Sequence, residues 1–222
     1  RFKGKCVCEG YGMTMQLLMN GLGVECVGIT GTAYDSEEDQ SEEDAELHLW
    51  NAVNLSGDWY YVDPTWDDQD DELQNYDYFN VNDDILSIDH TLSKTFDQLD
   101  EKTIDEEGTE DMNIFIPSCT EMTYNYYVYE CPHLTNYEDG VIEDALYEAA
   151  YDKEDYFIFY IDPAYYSYDS AVRSLFKDSP QYFFTYAKNV NERLSGYEID
   201  TSSMYYYLDE TRCSLAVELN YY

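Results

Sequence analysis

Positive charge is what this chain has least of. Eleven Lys and Arg stand against 48 Asp and Glu in 222 residues, a net charge of -37. That balance makes binding to a phosphate backbone electrostatically unfavourable and excludes nucleic acid as a ligand. Long apolar runs are missing too: no stretch approaches the ~18–20 residues of a membrane span, and no basic-then-apolar leader opens the chain. The cysteines, Cys6, Cys8, Cys26, Cys119, Cys131 and Cys213, show no paired C-x-x-C spacing, and Cys6-Val7-Cys8 is too short for a zinc knuckle. No structural metal is therefore expected.

Aromatic residues are abundant. They make up 17% of the chain, including 26 Tyr, and supply the large apolar bodies that a disordered acidic chain lacks. The length corresponds to about one or two domains, so the acidity is assigned to the surface of a folded protein.

Along the chain, Cys8, Tyr11, Met15, Leu18 and Leu22 recur at three- and four-residue steps. This predicts a helix over 8–20 with Cys8 on its buried face and a stop at Asn20-Gly21. Val24 to Thr30 reads as a strand ending at Gly31. Eight acids in the twelve residues from Asp35 to Glu46 form a solvated loop. Two apolar runs then flank Ser56-Gly57, the signature of a hairpin. With a two-residue turn, Leu55 pairs with Asp58 and Trp50 with Asp63, so His48 and Asp63 become diagonal neighbours on one face. A three-residue turn would send Asp63 to the other face. Further on, a strand is predicted at 76–81, an acid-rich connection at 97–111 and a hairpin within 114–129. Helices follow near 138–150, 167–176 and 180–194, with strands at 156–162, 204–208 and 213–220. The fold class is α+β, with a core over 1–96, a connection with a Tyr-rich hairpin over 97–137, and a small α+β lobe over 138–222.

A thiol in the first turn of a helix faces unpaired N–H groups and the positive end of the helix dipole, both of which favour thiolate. Cys8 has that position. An imidazole can take its proton and a carboxylate can hold the imidazole's tautomer, the roles His48 and Asp63 fit. Trp50 and Trp66 lie close enough in sequence to shield the imidazole, and Tyr11 and Asn51 are expected to support the cleft. His90 and His133 show no comparable partners and are expected to be structural. Cys119 and Cys131 flank a hairpin-like stretch that a disulfide could close, which would fit an oxidising, extracellular setting. The acid run 67–72 lacks the spacing of a calcium loop and reads as a solvated turn.

Three blocks, GKCVCEGYG at 4–12, HLWN at 48–51 and YVDPTWDD at 61–68 with the preceding Tyr60, resemble the nucleophile, His and Asp segments of the transglutaminase-like superfamily. That resemblance implies a papain-like fold with Cys8 as nucleophile, His48 as base and Asp63 as orienting acid. It is good over roughly the first 90 residues. Gly12 and Leu49 depart from it, each standing where the family usually has Ala. Because the chain starts at Arg1 inside the first block, it is expected to be a fragment or processed product whose leader lies outside it. The expected function is that of a secreted bacterial thiol hydrolase needing no cofactor and no metal. It would act on protein or peptide substrates that are cationic or associated with the cell wall. A non-catalytic surface or wall-binding module and a protein-cross-linking transglutaminase are the alternatives.

Overall fold

The computed structural model of this chain describes residues 7–34, 45–68, 76–93 and 116–222. They fall into two compact units, one ending at Asn125 and the other beginning at Tyr126. Most of the acidic loop, the 97–111 connection and residues 69–72 of the acid run lie outside the described residues.

The first unit opens with helix α1 (Cys8–Gly21) and continues with strands β1 (Cys26–Ala33), β2 (Glu46–Leu55), β3 (Asp58–Val62) and β4 (Phe79–Val81). A short helix α2 (Asp83–Leu86) and strand β5 (His90–Leu92) follow. The strands pair antiparallel in the order β4-β3-β2-β1-β5. Leu55 pairs with Asp58 across the two-residue turn. Ser56 and Gly57 have φ of 61° and 106°, the doubly left-handed geometry of a type I′ turn, whose twist matches that of the flanking strands.

Alternation along β2 assigns its two faces. Trp50 and Ala52 point into a cluster with Ile29, Tyr61, Tyr78, Val81, Leu86 and Cys119. Val53 faces the other way, with Cys26, Tyr60 and Val62, against Met15 and Met19 of α1. The helix is thus rotated from the sequence expectation: Leu18 and Leu22 are 60% and 80% exposed, and Gly12 is its buried residue. Close approach at Gly12 is the reason. A Cβ there would lie 2.1 Å from Leu49 Cδ2, and the Asn51 amide donates to the Gly12 carbonyl at 3.0 Å and to the Val27 carbonyl at 3.4 Å. Asn51 therefore fastens helix to sheet. Strand β1 also differs from expectation, running through Gly31 to Ala33 because β5 pairs along that end.

The second unit holds helices α3 (Tyr126–Tyr129), α4 (Val141–Asp152), α5 (Tyr168–Phe176) and α6 (Tyr182–Arg193). Its strands are β6 (His133–Leu134), β7 (Tyr156–Ile161), β8 (Tyr206–Asp209) and β9 (Ser214–Glu218). The order is β6-β7-β9-β8, with β6 parallel to β7 and the other pairs antiparallel. Leu146, Phe159, Leu175, Phe183, Val190 and Leu215 are fully buried at its centre. Several of the tyrosines are core residues: Tyr168 donates to the Ser214 carbonyl at 2.7 Å and Tyr186 to the Tyr137 carbonyl at 2.6 Å.

The hairpin expected within 114–129 is absent: 116–125 carries no strand, and 126–129 is a helical turn. Of the two open possibilities for Cys119 and Cys131, a disulfide or free thiols, the structure has free thiols, both buried. Cys119 packs in the core of the first unit beside Tyr61, and its amide donates to Asp83, so local contacts already hold this segment.

The Gly12–Leu49 contact predicts a specific coupling. Gly12→Ala alone gains about 1 kcal/mol of helix propensity but overpacks Leu49 at a cost of about 1–3 kcal/mol. In a Leu49→Ala background the same change should stabilise. A double-mutant cycle by urea unfolding measures this, and additive effects would contradict the contact.

Candidate active site

The β2–β3 ladder ends at the Asn51–Val62 pair, and the chain turns at Asp63-Pro64. The turn is held by the Asp63 carboxylate, whose Oδ1 accepts the backbone N–H groups of Thr65 at 2.9 Å and Trp66 at 3.2 Å. Its Oδ2 meets His48 Nε2 at 2.5 Å and His90 Nε2 at 3.2 Å. Asp63 is fully buried. Burial by itself would raise its pKa, but the hydrogen bonds and charges of the two imidazoles outweigh that and hold it at about 2.

His90 comes from β5, two strands from His48. Strand β1 lies between, and there Gly31 pairs with His48 on one side and Leu92 on the other. Gly31 is required at this position. A Cβ would lie 2.6 Å from Trp50 Cη2 and 2.0 Å from the Thr91 carbonyl oxygen, so glycine makes room for the indole and for β5. Trp50 and Trp66 then wall the imidazoles: ring centroids are 6.0 and 5.5 Å from His48, and 4.9 and 4.6 Å from His90. On its far side His90 Nδ1 meets Asp89 Oδ1 at 2.6 Å, and the Tyr78 hydroxyl donates to the other Asp89 oxygen. The result is a buried row, Tyr78, Asp89, His90, Asp63, His48. No described residue hydrogen-bonds His48 Nδ1, which is the nitrogen left to act.

Cys8 stands at the start of α1. The Leu49 backbone N–H donates toward its sulfur, which brings the thiol beside the peptide following His48. No hydrogen bond joins Cys8 to His48 among the described residues; the thiol donates instead to the Glu9 carboxylate at 3.5 Å. The expected lowering of the Cys8 pKa is also reversed. Desolvation pushes it up and Glu9 adds to that, while the Leu49 amide opposes them. Cys26, Cys119 and Cys131 are pushed higher by burial, to about 11, 12 and 12.

Of the supporting residues, Trp50 and Trp66 shield the imidazoles, and the Tyr11 hydroxyl donates to Asp68 at 2.5 Å, tying α1 to the Asp63 turn. Asp67 accepts the Tyr78 N–H at 2.9 Å. Sequence reasoning missed His90, Asp89 and Tyr78. The signal available was the adjacent acid and imidazole of Ile88-Asp89-His90, but only the pairing of β5 with β1 shows that they reach Asp63. His133 is structural as expected, with Nε2 2.8 Å from the Val128 carbonyl.

His48, Asp63 and His90 are the group among the described residues whose ligand atoms converge, all within 4.8 Å of one another. A tetrahedral zinc with bonds near 2.0–2.2 Å would keep its ligand atoms roughly 3.3 Å apart. The 2.5 Å between His48 Nε2 and Asp63 Oδ2 is a hydrogen-bond distance, and the three side chains form a hydrogen-bonded relay.

The Asp63 carboxylate links this relay to acid stability. Its folded pKa lies below the ordinary value of 3.8, so its contribution is fully present above about pH 4 and is lost as pH falls through about 2. The shift corresponds to about 2 kcal/mol. Urea midpoints across this window should fall for the native chain. In Asp63→Asn the dependence should flatten, with about 3–5 kcal/mol already lost at neutral pH. Equal slopes for the two proteins would contradict the assignment.

No family model matches the chain. Over 64 residues, 28% of the chain, it is 36% identical to kyphoscoliosis peptidase of Mus musculus and 34% identical to kyphoscoliosis peptidase of Homo sapiens. The chain spans about 10% of the length of these curated relatives. The similarity is distant and partial, and it is to proteins named as peptidases.

Proposed function

We propose that the first unit is a thiol-dependent amide hydrolase in which Cys8 attacks, His48 moves the proton and Asp63 holds His48. The single observation that carries this reading is the His48–Asp63 contact of 2.5 Å in a buried, aromatic-walled setting. Such a pair fixes the Nε2–H tautomer and leaves Nδ1 with a lone pair. Similarity to named peptidases and the three sequence blocks support the same chemistry. Because desolvation and Glu9 keep the resting Cys8 protonated, the thiol must be deprotonated as it reacts. In the proposed cycle His48 Nδ1 takes the Cys8 proton as sulfur bonds to the substrate carbonyl carbon. The imidazolium returns that proton to the leaving amine, and water then releases the acyl group. Protein or peptide is the proposed substrate, and the charge of -37 favours cationic sequences.

That no hydrogen bond joins Cys8 to His48 among the described residues favours a second reading, a binding module built on the same core. The two are separated by experiment. For a hydrolase, Cys8→Ala should abolish cleavage of a fluorogenic peptide library while the far-ultraviolet CD spectrum is unchanged. Iodoacetamide should label Cys8 ahead of Cys26, Cys119 and Cys131, faster as pH rises and faster still in Glu9→Gln, which removes the negative charge that helps hold the thiol proton. Undiminished cleavage by the Cys8→Ala protein would end the hydrolase reading. Uniformly slow labelling would favour the module.

A further inference from the structure

The contacts around Asp63 include one group, His90, with no part in the proposed cycle and an unusual proton requirement. Both of its ring nitrogens face carboxylate oxygens, Nδ1 to Asp89 at 2.6 Å and Nε2 to Asp63 at 3.2 Å. A carboxylate accepts hydrogen bonds and does not donate them, and a neutral imidazole carries one N–H. Satisfying both contacts takes two N–H groups. We infer that His90 is a buried imidazolium, clamped between Asp89 and Asp63, and that it acts as a positioning residue fixing the Asp63 carboxylate for His48. This rests on the hydrolase reading for its catalytic consequence, though not for its protonation.

The surroundings agree with that charge. His90 is nearly fully buried, where an uncompensated imidazolium would be costly, and the groups facing it are Asp63, Asp89, His48, Tyr78, Trp50 and Trp66. Two carboxylates and one imidazolium leave the cluster with a net charge of minus one, spread toward His48. Burial alone would lower the proton affinity of His90; the hydrogen bonds and charges of Asp63 and Asp89 outweigh it and raise it. The Tyr78 hydroxyl completes Asp89 from behind, and the indoles of Trp50 and Trp66 lie 4.9 and 4.6 Å from the His90 ring, between centroids. Asp63 Oδ2 thus takes a proton donor from each side, and the oxygen that meets His48 is held in one place.

The test needs no turnover. In the full chain carrying Cys8→Ala, ring nitrogen-15 spectra should show His90 with two N–H groups at pH 7, persisting to higher pH than a free imidazole. Asp89→Asn keeps an oxygen acceptor at Nδ1 but removes its charge, so His90 should lose its second proton at lower pH in a protein that still folds. His90→Gln keeps one donor and no charge, and the carbon-13 titration of the Asp63 carboxyl should move to higher pH. On otherwise native chain, the acid limb of peptide turnover should move the same way. A single N–H on His90 at pH 7, or an Asp63 titration unmoved by His90→Gln, would overturn the inference. If cleavage is absent throughout while the spectra behave as described, the hydrolase reading fails and His90 stands.

Discussion

The Asp63 carboxylate has each of its acceptor positions filled, and the first unit is arranged around that fact. One oxygen takes the amides of Thr65 and Trp66, the other takes His48 and His90. A buried carboxylate with fewer donors would be driven toward its neutral form; with four it stays ionised in a setting that excludes water. The first pair of bonds belongs to the local turn, and the second reaches across three strands of the sheet. Asp63 therefore couples the shape of the chain after β3 to the orientation of two imidazoles from distant strands. Pro64, Trp66 and Asp67 around it serve the same turn, which is why the segment YVDPTWDD carries so much of the recognisable pattern.

Much of this was legible beforehand. The α+β class, the helix at Cys8, the Ser56-Gly57 hairpin and most elements after residue 138 follow from periodicity and turn chemistry, because each is decided by neighbours in sequence. The shared face of His48 and Asp63 followed from turn parity alone. What could not be read is what depends on strand order and close approach. His90 enters the site only because β5 joins the far edge of β1, and nothing near residue 90 encodes that edge. The rotation of α1 away from Leu18 and Leu22 depends on Gly12 meeting Leu49, 37 positions apart. Periodicity marks an apolar stripe but does not say which part of it a partner covers.

Gly12 and Leu49 are best considered together. One is the smallest residue and the other a bulky one. In the structure they touch, so the volume lost on the helix is occupied from the strand. Asn51, next to Leu49 but one residue along, adds a polar fastening at the same helical turn, so helix position is set by shape and by hydrogen bonding within one short segment.

The two left-handed residues at the tip of the β2–β3 hairpin carry a consequence for how such a chain can drift over generations. A single-codon insertion or deletion there would invert every side chain beyond it relative to its opposite strand and separate the imidazole from its acid. Changes of two residues would preserve the pairing phase. Length variation among descendants of this hairpin is thereby restricted to even steps, a constraint imposed by pleat geometry rather than by the identity of the tip residues.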